Sequence, residues 1–293
     1  MYPDGLTMAL RKFLSLISRT FDAWMDDEAP RLSASLAFYT ILSLAPLVVL
    51  VPQVIDNLFG DTGSQGRIVD QAASLVGPEG ADAIRQMMES ARTPAPRGLA
   101  SVMSLLTLLF GASGVFVELR SAMNKIWDVT PKQHDGIVRL VKERFFSFAI
   151  VLAAGFLLLI SLMVSAVLSA LSAYVAATVP TDKLLVGVVD FTVSFTGISI
   201  LFALIFKFLP ETDLSWKDVR SGAILTALLF TVGKLLIGAY LGNAGVGEAY
   251  GGGGSMIVVL VWVYYSSMIF LFGAELTRVI ARPTRARSAG ANR

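Results

Sequence analysis

The chain has no cysteine, a single histidine and little charge: Asp, Glu, Lys and Arg together make up 16% of its 293 residues. Without cysteine there is no disulfide, thiolate nucleophile or Cys-ligated metal. One imidazole also excludes zinc sites built on several histidines. The 24 basic and 22 acidic residues nearly cancel, which removes the charge excess a polyanion-binding protein needs. A soluble domain is about 25% charged. In this chain 55% of the residues are instead apolar or aromatic, and 25 Gly come on top of that share. A soluble globule of this length has no interior large enough to hide so much apolar surface. The composition is that of an integral membrane protein.

The N-terminal region lacks the look of a cleavable signal. Leu6, Leu10, Phe13, Ile17, Phe21 and Trp24 recur at steps of three or four, the spacing of one helical face. Arg11, Lys12, Arg19 and Asp22 fall elsewhere on that helix. Such a helix suits the membrane interface, with its cations toward lipid headgroups. It suits equally a position against the protein's own cytoplasmic side. Asp26-Asp27-Glu28 follows, with Pro30 at a helix start.

A span needs about 20 mostly apolar residues. Six segments qualify: 34–55, 99–119, 145–172, 187–209, 220–241 and 255–280. Pro46 and Pro52 predict a kink or an early end in the first. The long loop 56–98 carries Gly77-Pro78 between amphipathic stretches at Ile68–Val76 and Ala83–Ala91, which predicts two short helices on the outer surface. Most of the 24 Lys and Arg fall on one side: the N-terminal region, the second-to-third and fourth-to-fifth loops, and the basic tail 283–293. Both termini are therefore expected in the cytoplasm. The expected fold is all-α, a single six-helix domain over 1–282 with an amphipathic N-terminal helix and a helical outer loop.

The run Arg31-Leu-Ser-Ala-Ser-Leu-Ala-Phe-Tyr-Thr-Ile-Leu-Ser-Leu-Ala-Pro46 resembles the first-span signature of the YihY/BrkB family of bacterial inner-membrane proteins. Asn124-Lys-Ile-Trp127 and Leu209-Pro210-Glu-Thr-Asp-Leu-Ser-Trp216 are similar to family segments too. So are Gly222-Ala223, Tyr240, Tyr250-Gly251, Trp262 and Gly273-Ala274-Glu275, so that the resemblance covers about residues 20–282 in order and spacing. It implies a six-span inner-membrane protein of a group named as virulence factors or transporters, some with an inherited ribonuclease label. It supplies no catalytic motif to carry over. A link to envelope lipid precursors is an analogy only.

The ribonuclease reading finds no support in the residues. Metal-dependent cleavage wants several carboxylates or imidazoles converging on a cation. The dense acid run Asp26-Asp27-Glu28 is consecutive, and consecutive helical residues do not face one point. His134 reads as a solvated loop residue. No nucleophile elbow, zincin helix or phosphate-binding loop is present. Gly251–Gly254 lacks a following Lys and reads as a flexible turn or a gating hinge.

Polar stripes enter the spans at helical spacing: Ser104, Thr107, Gly111, Gly114 and Glu118; Ser161, Ser165, Ser169 and Ser172; Thr192, Thr196 and Ser199. They serve either close helix packing or a polar cavity. Intramembrane charges are fewer and costlier. Lys234 lies about 21 Å along its helix from Arg220, in the outer half of the membrane. Glu275 sits near the inner end of the last span, an axial offset of roughly 13 Å that rules out a direct pair with Lys234. Asp190 is the expected neighbour of Lys234. Glu118, Lys207, Glu275 and Arg278, with Asn124 close by, form an expected inner cluster. That cluster is either a structural ion pair, Glu275 and Arg278 being three apart, or part of a transport path.

The functional expectation is a transporter or flippase-like protein for an envelope lipid or other amphiphilic anion, with hinges at Pro46, Pro52, Gly251 and Gly254. The alternatives are a non-transporting scaffold docking through 56–98 or the tail, and the inherited ribonuclease label. Membrane lipids are the expected partners, with an envelope protein or a second copy beside them. No cofactor, metal, catalytic residue or nucleic acid is expected. No ATP-binding motif and no clear internal repeat emerge, so inverted-repeat transporter designs gain no support.

Overall fold

The computed structural model of the protein describes residues 4–59, 64–90, 99–129, 183–212, 214–243, 245, 249–250 and 253–290. All regular structure among them is helical. The helices are α1 (Asp4–Asp26), α2 (Ala29–Phe59), α3 (Ser64–Ser90), α4 (Leu99–Ile126), α5 (Lys183–Phe208), α6 (Trp216–Asn243) and α7 (Gly254–Gly290). The predicted spans 34–55, 99–119, 220–241 and 255–280 fall within α2, α4, α6 and α7, and 187–209 overruns the end of α5 by one residue. The 145–172 segment, with its serine stripe, and His134 lie outside the described residues.

Trp216–Asn243 and Gly254–Ala281 are each long and apolar enough to cross a membrane. Only 33% and 28% of their most apolar windows are buried inside the protein, whereas the core helix of a soluble protein would be mostly buried. Leu228, Val232, Leu235 and Leu236 on α6 accordingly face outward. Lipid is the solvent in which such a surface is stable.

Helix α7 organises the bundle, packing against α1, α2, α3, α4 and α6, while α2 pairs with α4 and α5 with α6. Two apolar clusters fill the ends. One joins Ala29 and Leu36 of α2, Met123 and Ile126 of α4, Phe202 and Phe206 of α5, Ala223 of α6, and Leu271 and Ala274 of α7. The other joins Ile41 of α2, Ala83 of α3, Ile237 and Leu241 of α6, and Val258 and Val259 of α7, at the end where α6 turns into α7.

Three features differ from expectation. Helix α2 runs without interruption through Pro46 and Pro52 to Phe59, so neither proline ends it early. Pro46 is buried. Helix α3 consists of two helical limbs joined at Gly77-Pro78, as the sequence predicts, with Gly77 at φ 83° and ψ 171°. Its limbs do more than rest on a surface, for Val69, Ala81, Ala83 and Met88 are buried, packing on Leu44 and on the turn end of α6 and α7. Finally, α7 continues through the start of the basic tail to Gly290.

Close approaches explain the first polar stripe. A β-carbon on Gly111 would meet Ser43 at 2.8 Å, and one on Gly114 would meet the Tyr39 ring at 2.2 Å. These glycines let α4 lie directly on α2, so at those positions the stripe serves packing. On α5, Thr192 and Thr196 are exposed, and the Ser199 hydroxyl donates to the Phe195 carbonyl at 2.7 Å.

Candidate functional site

The polar centre of the molecule lies where α1, α2, α4 and α7 meet, and two left-handed residues shape it. Asp27 and Glu28 form the joint between α1 and α2, and Glu28 stands at φ 56°. Its N–H donates to Met25 O of α1, and its carbonyl accepts the first N–H groups of α2, from Arg31 and Leu32. Pro30 is the second residue of α2, a place where its missing N–H costs nothing. Asp128, at φ 53°, ends α4: its N–H donates to Lys125 O and that of Val129 to Asn124 O, the paired bonds of a Schellman cap. Left-handed geometry is uncommon without glycine, and here both residues are acids at one site.

Each of these turns aims a carboxylate at a cation. Glu28 pairs with Arg31 and, at 3.3 Å, with Lys125 of α4. Hydrogen bonds and charge from Arg31, then from Lys125, hold the Glu28 carboxyl below its usual value. Arg278 of α7 gathers three carboxylates: Glu275 at 3.0 Å, Asp128 at 3.3 Å and Asp27 at 3.5 Å. Its side chain is only 9% exposed and that of Glu275 is fully buried. Glu275 Oε1, Arg278 Nε, Trp24 Nε1 and Ser33 Oγ are buried without a hydrogen-bond partner. Consecutive acids thus take separate targets, Asp27 going to Arg278 and Glu28 to Lys125 and Arg31.

The predicted inner cluster divides in two. Glu275 and Arg278 come together as expected. Their further partners are Asp27, known from the sequence only as part of an acid run, and Asp128, which the sequence did not single out. Asn124 and Lys207 belong to a second group around the α5–α6 loop. There, Asn124 Oδ1 accepts the Glu211 N–H at 2.9 Å, and Arg120 pairs with the Glu211 carboxylate at 2.5 Å. Lys207 donates to the Leu214 carbonyl and stands 5.9 Å from the Phe208 ring and 6.0 Å from that of Trp216. Glu118 is half-buried on α4.

Lys234 is half-buried on α6. The register of α6 on α7 sets Gly233 against Ile269 and Tyr265, and Gly222 against Thr277. Lys234 and Glu275 therefore stand at different levels, and the rejected direct pair does not form. Asp190 lies in α5 with its side chain outside the described ones. Gly251 lies outside the described residues, and Gly254 is the buried first residue of α7.

The contact of α6 with α7 holds a feature missed in the sequence. Gly222-Ala-Ile-Leu-Thr226 and Gly273-Ala-Glu-Leu-Thr277 share four of five residues, too short a match to register as a repeat. Each glycine receives the other helix's threonine: a β-carbon on Gly222 would lie 1.8 Å from Thr277 Oγ1, and one on Gly273 2.1 Å from Thr226 Oγ1. Each hydroxyl donates to its own helix, Thr226 to Gly222 O and Thr277 to Gly273 O, both at 2.7 Å. Glu275 occupies the middle of the second copy, so this crossing positions the ion cluster.

Among the described residues, no three of His, Cys, Asp and Glu are grouped to hold a metal ion. The arrangement can bind and release charge, and it can pin three helix ends to one guanidinium. A helical bundle with lipid-facing spans and an ion cluster buried on one of them is an integral membrane protein.

The chain belongs to the Virulence factor BrkB family, which it matches over residues 20–293. A UPF0761 membrane protein of Pseudoalteromonas translucida is 25% identical over 262 residues, covering 88% of this chain and 83% of its own. Another, from Stenotrophomonas maltophilia, is 29% identical over 88% of this chain and 59% of its own. A third, from Rhodospirillum centenum, is 28% identical over 85% of this chain and 53% of its own. The chain thus spans little more than half the length of several relatives it matches. No solved structure matches it.

Proposed function

We propose that the protein is a six-span protein of the bacterial inner membrane, with cytoplasmic termini, that moves an envelope lipid or another amphiphilic anion across the bilayer without enzymatic chemistry. The observation that carries the reading is the buried pair Arg278 and Glu275 at the end of a membrane-spanning helix, with Asp27 and the exposed Asp128 as further partners of the guanidinium. Ionisable groups are expensive in such a place and mark substrate or ion paths by default. Buried polar atoms without partners are rare in packed cores, and Glu275 Oε1, Arg278 Nε, Trp24 Nε1 and Ser33 Oγ lie at this end.

Arg278 ties the α1–α2 joint through Asp27 and the end of α4 through Asp128. An anionic headgroup arriving here competes with those carboxylates for the guanidinium. Its binding frees both helix ends, so the cluster serves as the cytoplasmic closure of the path. Lys234, deeper on α6, is the cation that holds the headgroup from the outer side. Any pumping draws on an ion gradient or a partner. The scaffold alternative calls for an exposed apolar patch on α3, yet no large apolar side chain of α3 is exposed among those described.

The test is lipid translocation by purified protein in vesicles carrying a fluorescent anionic phospholipid in the inner leaflet. The wild type should speed appearance of the probe outside, and Lys234→Met should abolish that while the protein stays folded. Wild-type vesicles no faster than empty ones would overturn the transport reading. Full activity of Lys234→Met would remove Lys234 from it.

A further inference from the structure

Helix α1 has two halves in different surroundings. Thr20 is fully buried, Ile17, Ala23 and Trp24 are partly so, and the Trp24 ring meets the Phe272 ring of α7 edge-on at 6.4 Å. This half is held on the bundle, and Asp27 just beyond it pairs with Arg278. In the preceding two turns every described side chain from Leu10 to Ser15 is exposed, including Phe13 at 54% and Leu14 at 58%.

At 100° per residue the exposed side chains sort into sectors. Leu10, Phe13, Leu14 and Phe21 lie within one apolar sector. Lys12 and Arg19 lie together on the far side, and Arg11 lies on the flank between. The edge that meets the bundle runs from Ala23 and Thr20 into the apolar sector at Trp24 and Ile17. A helix surrounded by water would leave six large apolar side chains uncovered, Met8 and Met25 beside the four of that sector. The division fits a helix lying in the plane of a bilayer surface, apolar side down, with a neighbouring protein along one edge. The height is right as well, because α1 is pinned through Asp27 to the end of a membrane-spanning helix. The exposed turns Leu10–Ser15 carry Arg11 and Lys12 and no acid, Arg19 follows in the next turns, and Asp22 and Asp26 occupy the last two.

We infer that the outward side of α1 is an interfacial anchor that binds anionic phospholipid through Arg11, Lys12 and Arg19, with Leu10, Phe13 and Leu14 inserted among the acyl chains. The inference stands apart from what the protein transports. It also gives lipid a route to the ion cluster, since the anchored helix is the one that presents Asp27 to Arg278.

The absence of cysteine makes the test direct. Full-length Phe13→Cys and Ser15→Cys, labelled with an environment-sensitive fluorophore, are reconstituted in phosphatidylcholine alone or mixed with phosphatidylglycerol. The Phe13 label should be quenched by shallow nitroxide lipids and shielded from aqueous acrylamide, and the Ser15 label should behave in the opposite way. Quenching at Phe13 should favour nitroxide phosphatidylglycerol over nitroxide phosphatidylcholine. That preference should fall about 5-fold for each of Arg11→Gln, Lys12→Gln and Arg19→Gln. A Phe13 label open to acrylamide would overturn the inference. So would one shielded from both quenchers, because another protein surface would then cover it. A preference unchanged in the triple glutamine variant would overturn the anionic selectivity.

Discussion

The Thr277 hydroxyl stands where only a glycine at position 222 leaves room, 1.8 Å from the place a β-carbon would take. The Thr277 β-carbon and α-carbon follow at 2.6 and 2.9 Å, so backbone as well as side chain is in the way. Gly222→Ala should therefore separate α6 from α7 and destabilise the protein by about 1–3 kcal/mol, the usual cost of overpacking. Thr277→Ala in the same chain should relieve only part of this, because its β-carbon remains. The check is the temperature at which half the protein survives as a monodisperse peak in detergent.

Arg278 and its carboxylates should respond asymmetrically to substitution. Arg278→Met leaves Glu275 and Asp27 buried without their counter-ion, a loss of about 3–5 kcal/mol. Glu275→Gln in the same protein should recover much of that loss, and Glu275→Gln alone should cost less than Arg278→Met. A double-mutant cycle by denaturant unfolding measures the coupling. Equal and additive losses would contradict the shared burial described above.

Glu28 makes stability at the helix joint depend on pH. Its folded carboxyl titrates below the usual glutamate value of 4.5. The contribution is therefore complete above that value and is lost as pH falls through the lower, folded one. At neutral pH, Glu28→Gln should be less stable than the wild type, and the gap should close below the glutamate range. Thermal unfolding of both proteins across pH decides it, and a gap that widens in acid would contradict the pairing with Arg31 and Lys125.

Asn124 should protect one amide in the α5–α6 loop. Removing its carbonyl in Asn124→Ala frees the Glu211 N–H and should cost about 1 kcal/mol. Asn124→Asp keeps the acceptor and should preserve the protection. Hydrogen exchange at the Glu211 amide reads the difference, with roughly 5-fold faster exchange expected for the alanine variant alone.

Gly77 joins the two limbs of α3 in a conformation that only glycine adopts easily, φ 83° with ψ 171°. Gly77→Ala should cost about 1–3 kcal/mol and loosen α3 from α6 and α7. Limited proteolysis between residues 64 and 90 should then quicken, while the Arg278 end stays protected.

Much of this was legible in the order of residues. The apolar excess placed the chain in a membrane, helical spacing marked α1, and runs of about 20 apolar residues marked the segments that became α2, α4, α5, α6 and α7. Gly77-Pro78 marked the break in α3. The pair Glu275 and Arg278 was visible because residues three apart on a helix are neighbours wherever the helix goes. Asp27 and Asp128 were not visible as their partners. They reach Arg278 from other helices, through left-handed turns that no local pattern announces. Of the kink or early end expected at Pro46 and Pro52, the early end does not occur, for α2 continues to Phe59. The paired Gly-Ala-x-Leu-Thr segments lay in plain view, but five residues carry little weight until two helices are seen to cross on them.

What the sequence determined alone is the solvent and the secondary structure, because burial in lipid and helical periodicity accumulate residue by residue along the chain. What only the tertiary structure decided is which charges share a site. An ion pair depends on the angle at which each helix end presents its side chain. Here that angle is set by two acids in left-handed turns and by two glycines that let a pair of helices touch.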